Sequence, residues 1–368
     1  MYIKRIILEN FRNYHFLSWQ PHDKINIIVG GNALGKTNLL EAIFFGLTGS
    51  SFRTSREKET VLWNASHSRV EIQLIWHDQQ VTIRNTLTPG GKIERELNTR
   101  KLKKREQPVL PVIFTPDHLT LVKGSPRERR RWLDGELCLL YPGYDQYLKR
   151  YLQVVSQRNG LLQRIRERLA HIEELFPWDE QLAVYGARVT AVRLAMLSRL
   201  APLFREIHSD ISQSREKPGI SYFSTLPLTG TEGEKEILGL FNSRLSSRHK
   251  EEVAHGQTLT GPHRDDLFFS INGYDARQYA SQAQQRTIVL SLKLAQLELS
   301  YREKGEYPVL LLDDVLSELD RTRREQLLGR VHGLIQVFIT SSTLPDIHEK
   351  NISSMIFTIA EGQIKSLP

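Results

Sequence analysis

A run of potentially reactive groups begins at Gly30. Gly30, Gly31, Asn32, Ala33, Leu34, Gly35, Lys36 and Thr37 spell G-x-x-x-x-G-K-T, with Asn38 following. Glycines let consecutive backbone N–H groups turn inward around phosphate oxygens, and a helix starting there adds its partial positive charge. In such a loop Lys36 reaches the β- and γ-phosphates and the Thr37 hydroxyl ligates Mg²⁺. A second pair of groups stands at the end of Val309–Asp314, VLLLDD, an apolar run closing on two carboxylates. Asp313 is expected to hold Mg²⁺ through water opposite Thr37, and Asp314 to orient an attacking water. Hydrolysis at such a site is mostly positioning and charge neutralisation. A third group is Ser281-Gln282-Ala283-Gln284-Gln285-Arg286. Its hydroxyl and amides either cap a helix or meet a γ-phosphate presented from outside.

Each group needs an element to hold it. Ile25, Ile27, Ile28 and Val29 form a buried-strand run into the glycine loop, and Leu39, Leu40, Ile43 and Phe44 mark one apolar face of a following helix. Residues 3–8 and 17–19 read as earlier strands, with a turn at Glu9–Tyr14. Val70–Ile75 and Gln80–Leu87 alternate around a His77-Asp78 turn, and Ile93–Leu97 follows Pro89-Gly90-Gly91. Together these predict an antiparallel layer beside the strand of the loop. From Tyr144 the pattern turns helical. Leu148, Tyr151, Val155, Leu162, Ile165, Leu169, Ile172 and Phe176 keep a three-then-four spacing broken by Arg158. Pro177-Trp178-Asp179 is expected to end that helix and start a second, whose stripe runs from Leu182 to Leu203. The reading is an antiparallel hairpin of ~30 residues per arm, ~45–50 Å long. Gly219–Leu228 reads as a strand, 232–254 as a helix, Leu267–Ile271 and 335–339 as strands.

The bulk numbers narrow the class. A length of 368 residues accommodates two domains, and 40% hydrophobic residues suffice for an ordinary core. The formal charge of +8 favours a polyanionic partner. Arg100, Lys101, Lys103, Lys104, Arg105, Lys123, Arg127, Arg129, Arg130 and Arg131 crowd one stretch. Lys123, Arg127, Arg129 and Arg130 are the candidates for phosphate contacts, against a merely solvated face. The single Cys138 excludes an internal disulfide framework and, with no signal-peptide core and no apolar run approaching ~20 residues, predicts a cytoplasmic protein with no membrane partner.

ENFRNY (9–14), GGNALGKTN (30–38), FTPDHLTLVKGSPRERRRWLD (114–134), TGPHRDDL (260–267), SQAQQRTIVLSLKLAQ (281–296) and LLLDDVLSELD (310–320) resemble, in this order, the bacterial RecF recombination-mediator family. The resemblance implies an α/β fold: a P-loop NTPase of the ABC/SMC-head type with an antiparallel β-layer and an inserted short helical lever arm. It implies head segments at 1–122 and 257–368 with the arm at 123–256. It further implies ATP and Mg²⁺ as cofactors, ATP-dependent homodimerisation and weak DNA-stimulated ATP hydrolysis. Binding to single-stranded DNA, duplex DNA and their junctions would accompany RecO and RecR in loading recombinase and supporting the SOS response. By that likeness residues 30–38 and Asp313 hold ATP·Mg²⁺, and Asp314 stands where ABC ATPases usually carry a catalytic glutamate. Ser281, Gln284 and Gln285 would touch ATP across the dimer, and Asp320 would sit in the loop linking the two sites. Arg53 or Arg56 would be the arginine that SMC-like heads point at the nucleotide.

Two positions depart from the pattern. Ala283 replaces the usual signature glycine, and Thr340-Ser341-Ser342 stands where many ABC proteins have a switch histidine. The second departure predicts slow hydrolysis. A nucleotide-dependent scaffold that barely hydrolyses is the competing reading, with Ala283 in its favour. An ABC transporter subunit is disfavoured by the helical insertion and by TGPHRDDL, whose His263, Arg264 and Asp265 act directly or merely form a turn.

Overall fold

The structure, a computed structural model, describes residues 1–54, 56–103, 106, 109–141, 143–344, 353–360 and 362–367. In chain order come β1 (Tyr2–Phe11), β2 (Tyr14–Trp19), β3 (Ile25–Val29), α1 (Lys36–Thr48), β4 (Ser68–Trp76), β5 (Gln79–Leu87), β6 (Ile93–Leu97), β7 (Arg100–Lys101) and β8 (Val112–Phe114). Then follow α2 (Thr120–Lys123), α3 (Pro126–Leu140), α4 (Tyr144–Arg166), α5 (Phe176–Ile211), β9 (Pro218–Phe223), α6 (Glu234–His255), β10 (Asp266–Ile271), β11 (Tyr274–Asp275) and α7 (Ala276–Tyr279). The chain ends with α8 (Gln282–Lys304), β12 (Leu310–Leu312), α9 (Arg321–Val331), β13 (Val337–Ser341), β14 (Ser354–Ala360) and β15 (Gln363–Ser366).

These elements form two compact units. One holds Met1–His118, Asp210–Ser214 and Leu290–Pro368; the other holds Leu119–Ser209 and Arg215–Val289. Residues 215–289 group with the helical unit and Leu290 onward with the first, so the Ser281 cluster belongs with the helical unit. Among the described residues no helix is long and apolar enough to cross a membrane.

The first unit has two six-stranded sheets. One is antiparallel in the order β2-β1-β4-β5-β6-β7; the other runs β15-β14-β3-β13-β12-β8, all parallel except β15. Helix α1 packs against β4 and β5 of one and β13 of the other. It is therefore buried nearly all round, with Leu39, Leu40, Ala42, Ile43, Phe45 and Leu47 fully enclosed. The expectation of a single apolar face was too narrow, because a helix between two sheets needs apolar groups on both sides. Each of the leucines, the isoleucine and the phenylalanine contributes roughly 1.5–3 kcal/mol. Strand β13 sits two residues later than 335–339, so Thr340 and Ser341 lie on the strand itself. Lys104 and Arg105 of the basic stretch lie outside the described residues.

The second unit corrects the hairpin. Helix α4 stops at Arg166 and α5 starts at Phe176, with Arg168 at φ 61° between them. Leu169 and Phe176, expected in the seam, are exposed at that bend, while the expected Leu162 packs there with Leu161 and Leu175. Helix α6 packs on α4. Arg158, which interrupts the apolar spacing, is fully buried: it donates to Asp179 at 2.7 Å and Thr258 at 3.0 Å and pairs with Glu252 at 2.7 Å. Sheet β11-β10-β9 completes this unit.

Candidate nucleotide site and family

Parallel pairing sets Val29 beside Ser341 and Leu312 beside Ile339, so the carboxyl ends of β3, β12 and β13 meet at one edge. In open α/β sheets this is where ligands bind. Residues 30–38 leave β3 there. The Gly30 N–H bonds the Ser341 carbonyl at 3.3 Å, and Lys36 Nζ donates to the carbonyls of Gly30 and Gly31 at 2.7 and 3.0 Å. Ala33 holds φ 66° and Gly35 φ 102°. A Cβ on Gly35 would meet Asn13 Nδ2 at 2.5 Å, and one on Gly30 would meet Ile359 Cγ2 at 2.6 Å. Helix α1 begins after Gly35 with no side-chain cap and no acidic residue in its first turn. Its leading N–H groups are thus left for an anion. Asn32, Ala33 and Leu34 form the exposed crest.

The β1–β2 turn supports this loop, a role for Arg12, Asn13 and Tyr14 that the sequence reading missed. Tyr14 donates its hydroxyl to the Gly35 carbonyl at 3.0 Å, while Asn13 receives Asn38 Nδ2 at 2.8 Å. Arg12 forks onto the buried Glu41 carboxylate at 2.9 and 2.6 Å. Arg53 donates to Asn38 Oδ1 at 2.7 Å and Glu41 at 3.2 Å. Of the two candidate arginines, Arg53 is the one in the network; Arg56 is exposed and contributes its backbone N–H to Thr54. The signal for the turn was the polar FRNY string after an apolar strand.

The acidic pair completes the cluster. Thr37 Oγ1 lies 3.0 Å from both oxygens of Asp313, and Thr340 Oγ1 donates to Asp313 Oδ1 at 2.8 Å while accepting the Asp314 N–H at 3.0 Å. Burial pushes the Asp313 carboxyl above the usual carboxylate range; Thr340, Thr37 and Arg53 oppose that shift and Asp314 adds to it. Asp314 holds φ 51°, and its Oδ1 is buried with no hydrogen-bond partner among the described residues. Such an orphaned oxygen costs free energy and points to a partner outside the chain. Hydroxyl and carboxylate oxygens of this kind suit Mg²⁺. The residues fit ATP·Mg²⁺.

The remaining candidates sit elsewhere. Asp320 caps α9, accepting the Arg323 N–H at 2.9 Å. Ser281 and Gln284 form a reciprocal cap on α8, at 2.8 and 3.2 Å. Gln285 does not join them at the surface. It is buried, donating to the carbonyls of Ala276 and Ala280 at 3.2 and 3.1 Å. Among the basic candidates, Lys123 and Arg127 are exposed. Arg129 is buried and forks onto Asp266 at 2.8 Å, so it ties α3 to β10 and is not placed to meet phosphate. Arg130 donates to the Asp265 carbonyl at 2.7 Å. TGPHRDDL is a structural junction. Asp265 accepts from Tyr222 and Thr225, Pro262 accepts from the buried Arg193 at 2.7 Å, and His263 bridges Tyr151 and Thr258 at 2.6 and 3.1 Å. Arg264 is exposed beside Gln257.

A family model described as the RecF/RecN/SMC N terminal domain matches residues 2–365. The DNA replication and repair protein RecF of Desulforamulus reducens is 43% identical over 350 residues, covering 95% of this chain and 94% of that protein. The RecF protein of Bacillus subtilis is 36% identical over 368 residues, covering 99% and 100%. A solved structure of the recombination mediator protein RecF-ATP in the RecFOR pathway matches with a TM-score of 0.87 at 35% identity, covering 100% of this chain and 98% of that one. An SMC head bound to the C-winged helix domain of ScpA matches with a TM-score of 0.58 at 18% identity, covering 100% and 97%, a likeness of fold alone. Glycine loop, paired aspartates, mixed sheets and these likenesses together place the chain in the RecF family of ATP-binding P-loop proteins, on the ABC/SMC-head fold.

Proposed function

We propose that this protein is an ATP-dependent DNA-binding recombination mediator of DNA repair and replication. In this reading it binds ATP through residues 30–38 and dimerises when loaded, with Ser281 and Gln284 of one copy meeting the nucleotide of the other. The dimer engages single-stranded DNA, duplex and their junctions at gaps, and works with RecO and RecR to load recombinase and support SOS induction. Weak DNA-stimulated hydrolysis resets it, and the protein acts in the cytoplasm.

The observation that carries the reading is Asp314 Oδ1, buried and without a hydrogen-bond partner among the described residues, beside the Thr37–Asp313–Thr340 chain. ATP·Mg²⁺, when bound, supplies the phosphoryl group to be cleaved. Thr37 and Asp313 supply hard oxygens for the cation, Lys36 neutralises charge, and Asp314 Oδ1 is placed to hold a water's proton. Support for the pathway comes from relatives named DNA replication and repair protein RecF and from solved structures described as RecF-ATP in the RecFOR pathway. Ala283 favours a second reading, a nucleotide-gated scaffold, since its methyl group stands where close backbone approach is usual.

One variant tests the nucleotide site that both readings share, and a second separates them. Lys36→Ala is expected to abolish ATP binding in equilibrium titration. Asp314→Asn is expected to bind ATP normally and lose about a hundredfold or more in turnover, the range typical of a positioned general base. Unchanged turnover in Asp314→Asn would remove the catalytic assignment and favour the scaffold.

A further inference from the structure

The helical unit carries an exposed aromatic pair that the nucleotide site does not use. Tyr274 and Tyr279 are 67% and 70% exposed, with ring centroids 6.0 Å apart at an interplanar angle of 65°. A single open ring needs no explanation, but two in contact form a continuous exposed patch of the kind that marks interaction sites. Their setting is rigid. Asn272 and Gly273, at φ 53° and 84°, make the two-residue turn of the β10–β11 hairpin, in which Ile271 pairs with Tyr274. Positive φ at both central residues is the tight hairpin geometry that favours Asn-Gly. The turn is tied to Lys217 by two backbone-directed bonds of 2.8 Å. On the other side Asp275 accepts the Arg277 N–H at 2.8 Å, and buried Gln285 grips the carbonyls of Ala276 and Ala280. Tyr274 and Tyr279 are thus fixed at the two ends of one short, pinned segment, leading directly into Ser281.

The surroundings select the partner. Arg277 and Lys217 are both exposed, and the carboxylate of the segment, Asp275, is occupied as a cap. Open tyrosine faces flanked by cations are the chemistry that takes up unpaired nucleobases, which stack on the rings while the phosphates meet the charges. The two rings touch edge-on, leaving no room for a base between them, so each offers its outer face. A duplex keeps its base faces covered and gains only the charge contacts.

We infer that Tyr274 and Tyr279, with Arg277 and Lys217, form a stacking site for the unpaired bases of single-stranded DNA. The inference rests on the DNA-binding reading above and gives it a structural basis for preferring unpaired DNA. The test is fluorescence anisotropy with labelled oligo(dT) and with a blunt duplex, using the full chain with ATP·Mg²⁺. The double variant Tyr274→Ala/Tyr279→Ala is expected to bind oligo(dT) about tenfold more weakly or worse, the loss expected of stacked rings. Its duplex affinity should hold, and Tyr274→Phe/Tyr279→Phe should bind oligo(dT) like the parent. An alanine pair that binds oligo(dT) normally, or loses duplex in equal measure, overturns the inference. So does an alanine pair that keeps both DNA affinities but changes its mass in solution, which would make the face a protein contact. If the parent binds duplex but not oligo(dT), this site fails while the DNA-binding reading stands; if it binds neither, both fail.

Discussion

Thr340 is the residue that joins the two aspartates of the site. Its hydroxyl donates to Asp313 and accepts from the Asp314 N–H, so one group fixes a carboxylate and the backbone of its neighbour. Thr340→Val keeps the shape and orphans that N–H, a loss of about 1–3 kcal/mol. The expected outcome is a lower urea midpoint together with slower ATP turnover at nearly unchanged ATP affinity, while Thr340→Ser keeps most of both. A valine variant with parental stability and turnover would remove Thr340 from the site. At Gly35 the constraint is steric, since φ 102° and Asn13 Nδ2 at 2.5 Å leave no place for a methyl group. The glycine loop and paired aspartates were legible because their spacing is local. Thr340 was visible only as a missing histidine, because its partnership with Asp313 is made by the parallel register of β12 and β13.

Among elements, the helical unit turns on buried charge. Arg158 breaks the apolar stripe of α4, yet it is enclosed with Asp179, Glu252 and Thr258. Periodicity marks such a residue as an interruption, since the carboxylates that neutralise it lie 21 and 94 positions away in sequence. Removing one member of a buried ion cluster leaves the others uncompensated. Arg158→Ala is therefore expected to cost about 3–5 kcal/mol in chemical denaturation. A loss below about 1 kcal/mol, the level of an exposed pair, would contradict the burial. The TGPHRDDL junction adds a pH dependence. Burial pushes the His263 ring down to about 4, so the folded state holds it neutral while the unfolded chain protonates near 6.5. The unfolded state then binds the extra proton in that window. Stability is fully present above about pH 6.5 and falls toward pH 4, by up to about 3 kcal/mol from this ring. His263→Gln should flatten that part of the profile; a parental slope in the variant would place the titration elsewhere. The helix ends were the least legible feature. Arg168 makes the turn in a left-handed conformation with neither glycine nor proline to announce it.

At the scale of the molecule, the α/β character and the order of the motifs were legible because each strand run, glycine loop and helix start is a contiguous signal. The unit boundary at Leu290 was not, because α8 is continuous through it and its apolar spacing does not change there. The same holds for the basic stretch: charge density suggested a phosphate-facing row, while folding turns Arg129 inward onto Asp266. In the proposed function ATP gates a dimer that holds DNA. Its most direct test is molecular mass in solution, with and without ATP·Mg²⁺, with single-strand/double-strand junction DNA titrated in parallel. The 42.5 kDa chain is expected to double its mass with ATP·Mg²⁺ and to bind the junction more tightly. A chain that stays monomeric, with a DNA affinity indifferent to ATP, would contradict it.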